Sequence, residues 1–504
     1  MTQKSPPSGL FPVLLFSVLG FLVMGYHPGA EDDGVYLAAV NAAVHPYLYP
    51  HDAAFFKLQM RTSVFDTWMA HFVLTTKISI TWCEFIWQCL SILLMVWACS
   101  IILSQLFEER SARWGGLAMF SAMLTLPVAG TALYLADQYL HPRNPATALI
   151  LFAVCRILAG RRWQAVPLLL LAFILHPLMG ALGVSFCFVL SLTTYEPLRA
   201  RIRSWSKHTV PEPARPDVAT PITALFPFAW IFSKPSQTFL ESAATLHCYH
   251  LYEWTWYEWL GAIGPLVIFW AITRIAHKHS QLVLSRFAMA VLIYGTFQQL
   301  VAMIILGPEA PLTFVTLEPM RYLQLVYVFM ALILGAHLGR HVLGRKILRW
   351  AVFLLLANGG MYFAQRQLFA GTEHIEFPGH QSANPWLQAF SWIRHNTPED
   401  AYFAVDPNYM SVPGEDNHGF RALAERSVLA DEGMDTDMVT KAPELGPEWK
   451  RQVQAESGWA HFRLADFDSL KSQFGVNWTL VRIPQPAGLD CRWHNQELAV
   501  CRIP

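Results

Sequence analysis

Residues 10–44 read LFPVLLFSVLGFLVMGYHPGAEDDGVYLAAVNAAV. An uncharged apolar run from Leu10 to Tyr26 follows a single charge, Lys4, and leads almost at once to Glu31, Asp32 and Asp33. The run is long enough to enter a bilayer. It reads either as a signal peptide or as a retained helix. No small-x-small cleavage site precedes the acidic cluster, which favours the retained helix. Three adjacent carboxylates at a membrane surface repel one another and anionic headgroups, so their placement asks for a purpose.

The 504 residues are 54% hydrophobic, 13% aromatic and 14% charged, with a mean hydropathy of +0.32. Soluble domains carry roughly 25% charged residues, so most of this chain is solvated by lipid. A formal net charge of zero gives no case for a nucleic-acid partner. Cys83, Cys89, Cys99, Cys155 and Cys187 sit in or beside apolar runs, as small core residues do. None forms a CxxC, which argues against a thiolate metal site.

Beyond the first run, candidate spans lie at about 80–106, 115–135, 145–159, 164–176, 178–194, 219–233, 259–274, 284–306, 322–338 and 349–365. Basic residues fall on alternate connections: Lys4, Arg110/Arg113, Arg161/Arg162, Arg199 to Lys207, Arg274/Lys278 and Arg340 to Arg349. Those connections are expected to be cytoplasmic, with the N-terminus inside and the C-terminus outside. At His176-Pro177 the apolar sequence is either two short helices or one kinked helix. The count is accordingly nine or eleven. The fold class expected is a polytopic α-helical membrane domain over residues 1–369, followed by an extracytoplasmic α/β domain over 370–504.

That second domain is signalled by a capped helix and strand in NPWLQAFSWIRHNTPEDAYFAVDPN, a helical DFDSLKSQFG, a strand NWTLVRI and a closing hairpin. Cys491 and Cys501 flank the hairpin, so a disulfide is expected in an oxidising compartment. Asp416, His418, Arg421 and Arg426 read first as solvated surface of this domain, and second as contacts to an acceptor or partner.

The outward connections, 27–79, 136–144, 234–258 and 307–321, collect the ionisable residues. The first holds Glu31, Asp32, Asp33, His45, His51, Asp52, Lys57 and Arg61; the second Asp137, His141 and Arg143; the last two Glu253, Glu258, Glu309, Glu318 and Arg321, and His176 marks a further outward turn between the second and the third. Ionisable groups at membrane depth are read first as functional. Tyr36, Val40 and Val44 recur every four residues, predicting a helix with one apolar face lying on the membrane surface. Its start sets Asp32 and Asp33 at a positive helix terminus, where capping accounts for one carboxylate but not for three. Trp254, Trp256, Tyr257 and Trp259 read as an interfacial aromatic belt or as a platform for sugar rings. Glu253 or Glu258 would then take the sugar hydroxyls.

A first outer loop opening with EDDGVY, amphipathic helices behind it, an acidic residue in the next outer loop and an outer α/β domain together resemble the GT-C superfamily. Those are polytopic glycosyltransferases that use lipid-phosphate-linked sugars. GYHPGAEDDGVYLAAV, LYPHDAAFF, LPVAGTALYLADQYLHPRNPATAL and LHPLMG resemble bacterial membrane proteins of GT-C-like type. The resemblance implies a polyprenyl-phosphate-sugar donor and an extracytoplasmic glycan, lipid or protein acceptor. It implies Asp32 or Asp33 as catalytic base, and Glu31, Tyr36, Arg61, Arg143, His176, Trp256, Glu258 and Arg321 as substrate contacts. It also implies a divalent cation, Mg²⁺ or Mn²⁺, on Asp137 with His141 or His176, or basic residues in its place, to neutralise the donor phosphate. The second loop carries a lone Asp137 where an acidic pair is usual. Hence Arg143 and Arg321 are the alternative holders of phosphate. A bacterial plasma-membrane location follows. Two other readings stand beside it: a non-catalytic scaffold that keeps this architecture, and a transporter. The transporter is disfavoured by charges that gather in loops and by the lack of an internal repeat.

Overall fold

The computed structural model describes residues 9–56, 64–194, 196, 247–307, 312–409, 416–441 and 443–504. The expected span at 219–233, together with Lys57, Arg61 and Glu309, lies outside them. The membrane domain runs α1 (Leu10–Met24), α2 (Asp33–Val44), α3 (Phe65–Thr76), α4 (Ile80–Leu106), α5 (Arg110–Ala122), a hairpin of β1 (Pro127–Val128) and β2 (Leu133–Tyr134), and α6 (Arg143–Leu158). It continues with α7 (Ala165–Leu175), α8 (Pro177–Thr194), α9 (Trp256–Lys278), α10 (Leu282–Ile305), α11 (Leu323–Leu338) and α12 (Ile347–Leu368).

Among the described residues, six helical segments are long and apolar enough to cross a bilayer: Ile80–Leu106, Pro177–Thr194, Trp256–Lys278, Leu282–Ile305, Pro319–Leu343 and Ile347–Leu368. Leu10–Met24 and Arg162–Leu175 are shorter apolar helices. The chain is a multi-pass membrane protein. His176-Pro177 separates two helices, because proline removes an amide and turns the preceding residue out of helical geometry.

The span expected at 115–135 is corrected. Helix α5 stops at Ala122 and the chain folds into the β1–β2 hairpin. Gly130 there has φ +61° and leaves no room for a side chain, since a Cβ would lie 2.5 Å from Cζ2 of Trp254. Trp254 is therefore buried over the hairpin rather than set in an interfacial belt.

Helices α5 and α11 touch through glycine. An added Cβ on Gly335 would lie 2.5 Å from the carbonyl oxygen of Gly115, and one on Gly115 would lie 2.7 Å from Cα of Gly339. Small residues four apart let membrane helices approach backbone to backbone. Gly335→Val is expected to lower stability by about 3 kcal/mol through overpacking, read as a fall in the detergent melting midpoint, whereas Gly360→Val, in open space, leaves it unchanged.

The C-terminal domain, called the outer domain after its expected side of the membrane, holds α13 (Pro385–Asn396), β3 (Tyr402–Val405), α14 (Phe420–Ala424), β4 (Ser427–Val428), α15 (Glu432–Lys441), α16 (Gly446–Ala455), α17 (Leu464–Phe474), β5 (Trp478–Arg482), β6 (Asp490–His494) and β7 (Leu498–Arg502). Asn384 caps α13 by accepting from the amides of Trp386 and Leu387. The strands form one mixed sheet in the order β4-β3-β5-β7-β6, parallel across β4-β3-β5 and antiparallel across β5-β7-β6. Alternate residues feed two cores. Phe403, Trp478 and Val500 pack with Trp386 and Phe390; Ala404, Val481 and Ala499 pack with Phe467 and Leu470. Cys491 and Cys501, partners across β6–β7, form a disulfide. Its presence accords with an extracytoplasmic domain.

The first outer loop joins the two domains. Tyr26 pairs with Ile375 and Ala30 with His418 as isolated bridges. The Gly419 amide donates to Gly29 O at 2.8 Å, and the Glu31 amide to Asn417 O at 2.6 Å. Helix α2 is wedged between α3 and α14, with Leu37, Ala38, Ala39 and Val40 buried. The periodicity predicts one apolar face and one open to water; here α14 packs on α2, and Asn41 donates to the Ala422 carbonyl. The residues read as solvated surface are corrected too. Asp416, His418, Arg421 and Arg426 are all buried.

His418 belongs to a polar clasp at this junction. Glu376 Oε1 accepts from His27 Nδ1 at 2.8 Å and from His418 Nε2 at 3.1 Å. Asp416 accepts from Thr372 Oγ1 at 2.5 Å. Burial favours the neutral acid, but the charge of His418 and both hydrogen bonds prevail and hold Glu376 down at about 2. Burial pulls His418 down and Glu376 more than offsets it, so His418 is raised; burial lowers His27. Glu376 therefore contributes stability that is present above its ordinary 4.5 and lost as pH falls toward 2. The His418 contribution is present below 6.5 and lost as pH rises through its elevated value; the His27 contribution is lost as pH falls below 6.5. The melting midpoint of wild type relative to Glu376→Gln is expected to be highest between the ordinary values of Glu376 and His418. It should narrow on both sides of that window. A difference flat in pH would mean that the clasp carries no net charge.

Candidate functional site

The chain between β2 and α6 is held rigidly before it presents any charge. Asn144 donates to Gln88 Oε1 and to the carbonyls of Asp137 and Tyr139, and its Oδ1 accepts from the Asp137 amide. Gln88 of α4 donates to the Asp137 carbonyl at 2.7 Å. This scaffold fixes a bidentate pair: Arg143 Nε donates to Asp137 Oδ2 at 3.0 Å and Nη2 to Oδ1 at 2.7 Å. Both residues are buried. Burial raises the Asp137 carboxyl above its ordinary value, and the Arg143 charge opposes the rise. Nη1 of Arg143 has no hydrogen-bond partner among the described residues.

His141 stands beside this pair. Its Nδ1 accepts from the Arg143 amide at 3.0 Å, which assigns the proton of the neutral ring to Nε2. That Nε2 lies 3.6 Å from Asp32 Oδ2, and Arg143 Nη2 lies at the same distance. Tyr36 meets the His141 ring edge-on at 4.7 Å, and the His176 ring is 5.7 Å away. His176 Nδ1 also accepts from the Met179 amide, so it marks the helix break and flanks the site.

The three acidic residues have separate environments. The Asp32 side chain is 47% exposed and makes no capping hydrogen bond to α2. Glu31 accepts from Tyr139 Oη at 3.1 Å, and burial together with the Asp32 charge raises it to about 7. Asp33 is 1% exposed and accepts from the Gly29 amide at 2.6 Å. Burial raises it to about 6, opposed by a hydrogen bond with Glu84 of α4. Asp66, also fully buried, has neither carboxylate oxygen hydrogen-bonded among the described residues.

Of the remaining candidates, Arg321 pairs with Glu318, and its charge reaches Asp137. Glu258 completes a capping box with Thr255 at the start of α9 and accepts from His247. Trp256 is 77% exposed and fits an interfacial anchor. Thus Asp32, Tyr36, Asp137, His141, Arg143 and His176 come together, Glu31 and Asp33 adjoin them, and Glu258 is engaged in its own helix cap.

The cation implied for Asp137 and His141 does not fit this arrangement. Both Asp137 oxygens are spent on Arg143, and among the described residues no three His, Cys, Asp or Glu side chains gather to hold a metal. Sequence reasoning missed Gln88, Tyr139, Asn144 and the Asp33 partner Glu84. The polar residues at 88 and 84 inside an apolar run were the available signal.

No curated protein matches the chain in sequence. Residues 384–455 match the profile of a domain of unknown function, DUF6798; the match runs from the cap of α13 to the end of α16 and takes in α14, which packs on α2.

Proposed function

We propose that the protein is an integral-membrane glycosyltransferase of a bacterial plasma membrane. It would move a sugar from a polyprenyl-phosphate donor to a hydroxyl or amine of an extracytoplasmic acceptor. The carrying observation is Asp32, a half-exposed carboxylate set 3.6 Å from a buried imidazole and a buried guanidinium. The acceptor O–H or N–H attacks the anomeric carbon, and its proton passes to Asp32 as general base. The bond from that carbon to the phosphate oxygen breaks, and polyprenyl phosphate leaves with the electron pair. Arg143, with Nη1 unspent, is the residue that would meet the departing charge. Asp33, buried and accepting from the Gly29 amide, is the less accessible carboxylate and takes second place to Asp32 in this reading.

The second reading is a scaffold without turnover, favoured by the depth to which the first loop is clasped under the outer domain. A diazirine-bearing polyprenyl-phosphate sugar tests the location directly. Labelling is expected on peptides containing Glu31–Tyr36 or Pro142–Asn144. Labelling confined to other peptides contradicts the site.

A further inference from the structure

A cavity of about 330 Å³ opens at the seam between the two domains. It lies where α2 and α3 end, where α4 enters the membrane, and where α13 and α14 of the outer domain arrive. Its floor is apolar, with Leu37, Val73 and Leu423, and its rim carries His45, Lys77 and Arg394. Nothing in the reaction proposed above uses these residues.

We propose that this cavity binds the headgroup of an anionic membrane phospholipid through its phosphate, at the seam between the membrane and outer domains. The argument is charge complementarity at a fixed depth. The one carboxylate on the rim, Glu425, is paired with Arg394 at 2.9 Å. Lys77 has no ion-pair partner among the described residues, so the rim keeps a net positive charge. Lys77 is held at φ +62°, a left-handed backbone uncommon outside glycine, in the short link between α3 and the first turn of the α4 span. A cation there stands at headgroup level. The α4 terminus on the cavity is also uncapped: Ser79 makes no capping bond, and its hydroxyl is shared with Thr81 at 3.3 Å. Apolar floor, basic rim and free helix amides together match a phosphate carried on an acyl-bearing molecule. Such a lipid would bridge α3–α4 to the outer domain.

The test uses the full-length protein in detergent with equimolar phosphatidylglycerol and phosphatidylcholine, read by native mass spectrometry. Phosphatidylglycerol is expected to be retained in preference. Lys77→Gln and Arg394→Gln should each weaken that retention about five-fold, with phosphatidylcholine unaffected. Glu425→Gln releases Arg394 and should strengthen it, a gain that misfolding does not mimic. Equal retention of the two lipids overturns the proposal, as does a preference that none of the three variants changes. Displacement of the lipid by inorganic phosphate at matching concentration also overturns it, since the site would then read the free anion.

Discussion

Asp32→Asn is expected to lower sugar transfer by about a thousand-fold, the range that general-base catalysis supplies, while the affinity for donor changes little. The substitution removes the proton acceptor without removing bulk. The side chain is 47% exposed and bears no helix cap, so the fold should be indifferent to it. Asp33→Asn is the contrast. Asp33 is buried against Gly29 and Glu84, and its loss should appear as lowered stability with turnover preserved in the molecules that remain folded. Equal loss of turnover in both variants at unchanged stability would contradict the assignment of Asp32. Because the pair on Asp137 is Arg143, turnover is further expected to survive chelation of divalent ions.

The largest stability effect is expected at Arg421. Its guanidinium donates to Asp52 of the first loop at 2.8 Å and to Asp435 at 2.6 and 3.1 Å. It also lies 5.0 Å above the Phe55 ring. Arg421→Met strands two buried carboxylates, and breaking a buried pair costs about 3–5 kcal/mol. The loss should be read as a fall in the denaturation midpoint of the outer domain in nanodiscs. Asp52→Asn in the same chain should restore part of it, because one stranded charge is gone. A cost below about 1 kcal/mol, the scale of an exposed pair, would mean that this contact does not hold the domains together.

Arg421 also shows where the sequence stops being legible. It reads as solvated among the neighbours GEDNHGFRALAER, yet its partner Asp52 lies 369 positions away. His418 misleads in a similar way, its partner Glu376 standing 42 positions away, just past the last membrane helix. Local signals did transmit where local physics decides. Pro177 broke the helix, Asn384 capped α13, and paired strands brought Cys491 to Cys501. The run at 115–135 failed because hydropathy counts apolar residues without regard to Pro127 and Gly130, which turn the chain. At the candidate site, EDD was visible as a cluster, but its division into an exposed Asp32 and a buried Asp33 depends on Glu84, Tyr139 and His141, which the fold supplies from elsewhere.

The most direct measurement is donor consumption by the wild-type protein in lipid nanodiscs, across a panel of polyprenyl-phosphate sugars and matched nucleotide sugars. With a glycan acceptor or water present to take the sugar, at least one lipid-phosphate sugar is expected to be turned over to free polyprenyl phosphate while the nucleotide sugars are left intact. Consumption of nucleotide sugars, or no turnover of any donor together with no donor binding, would contradict this expectation.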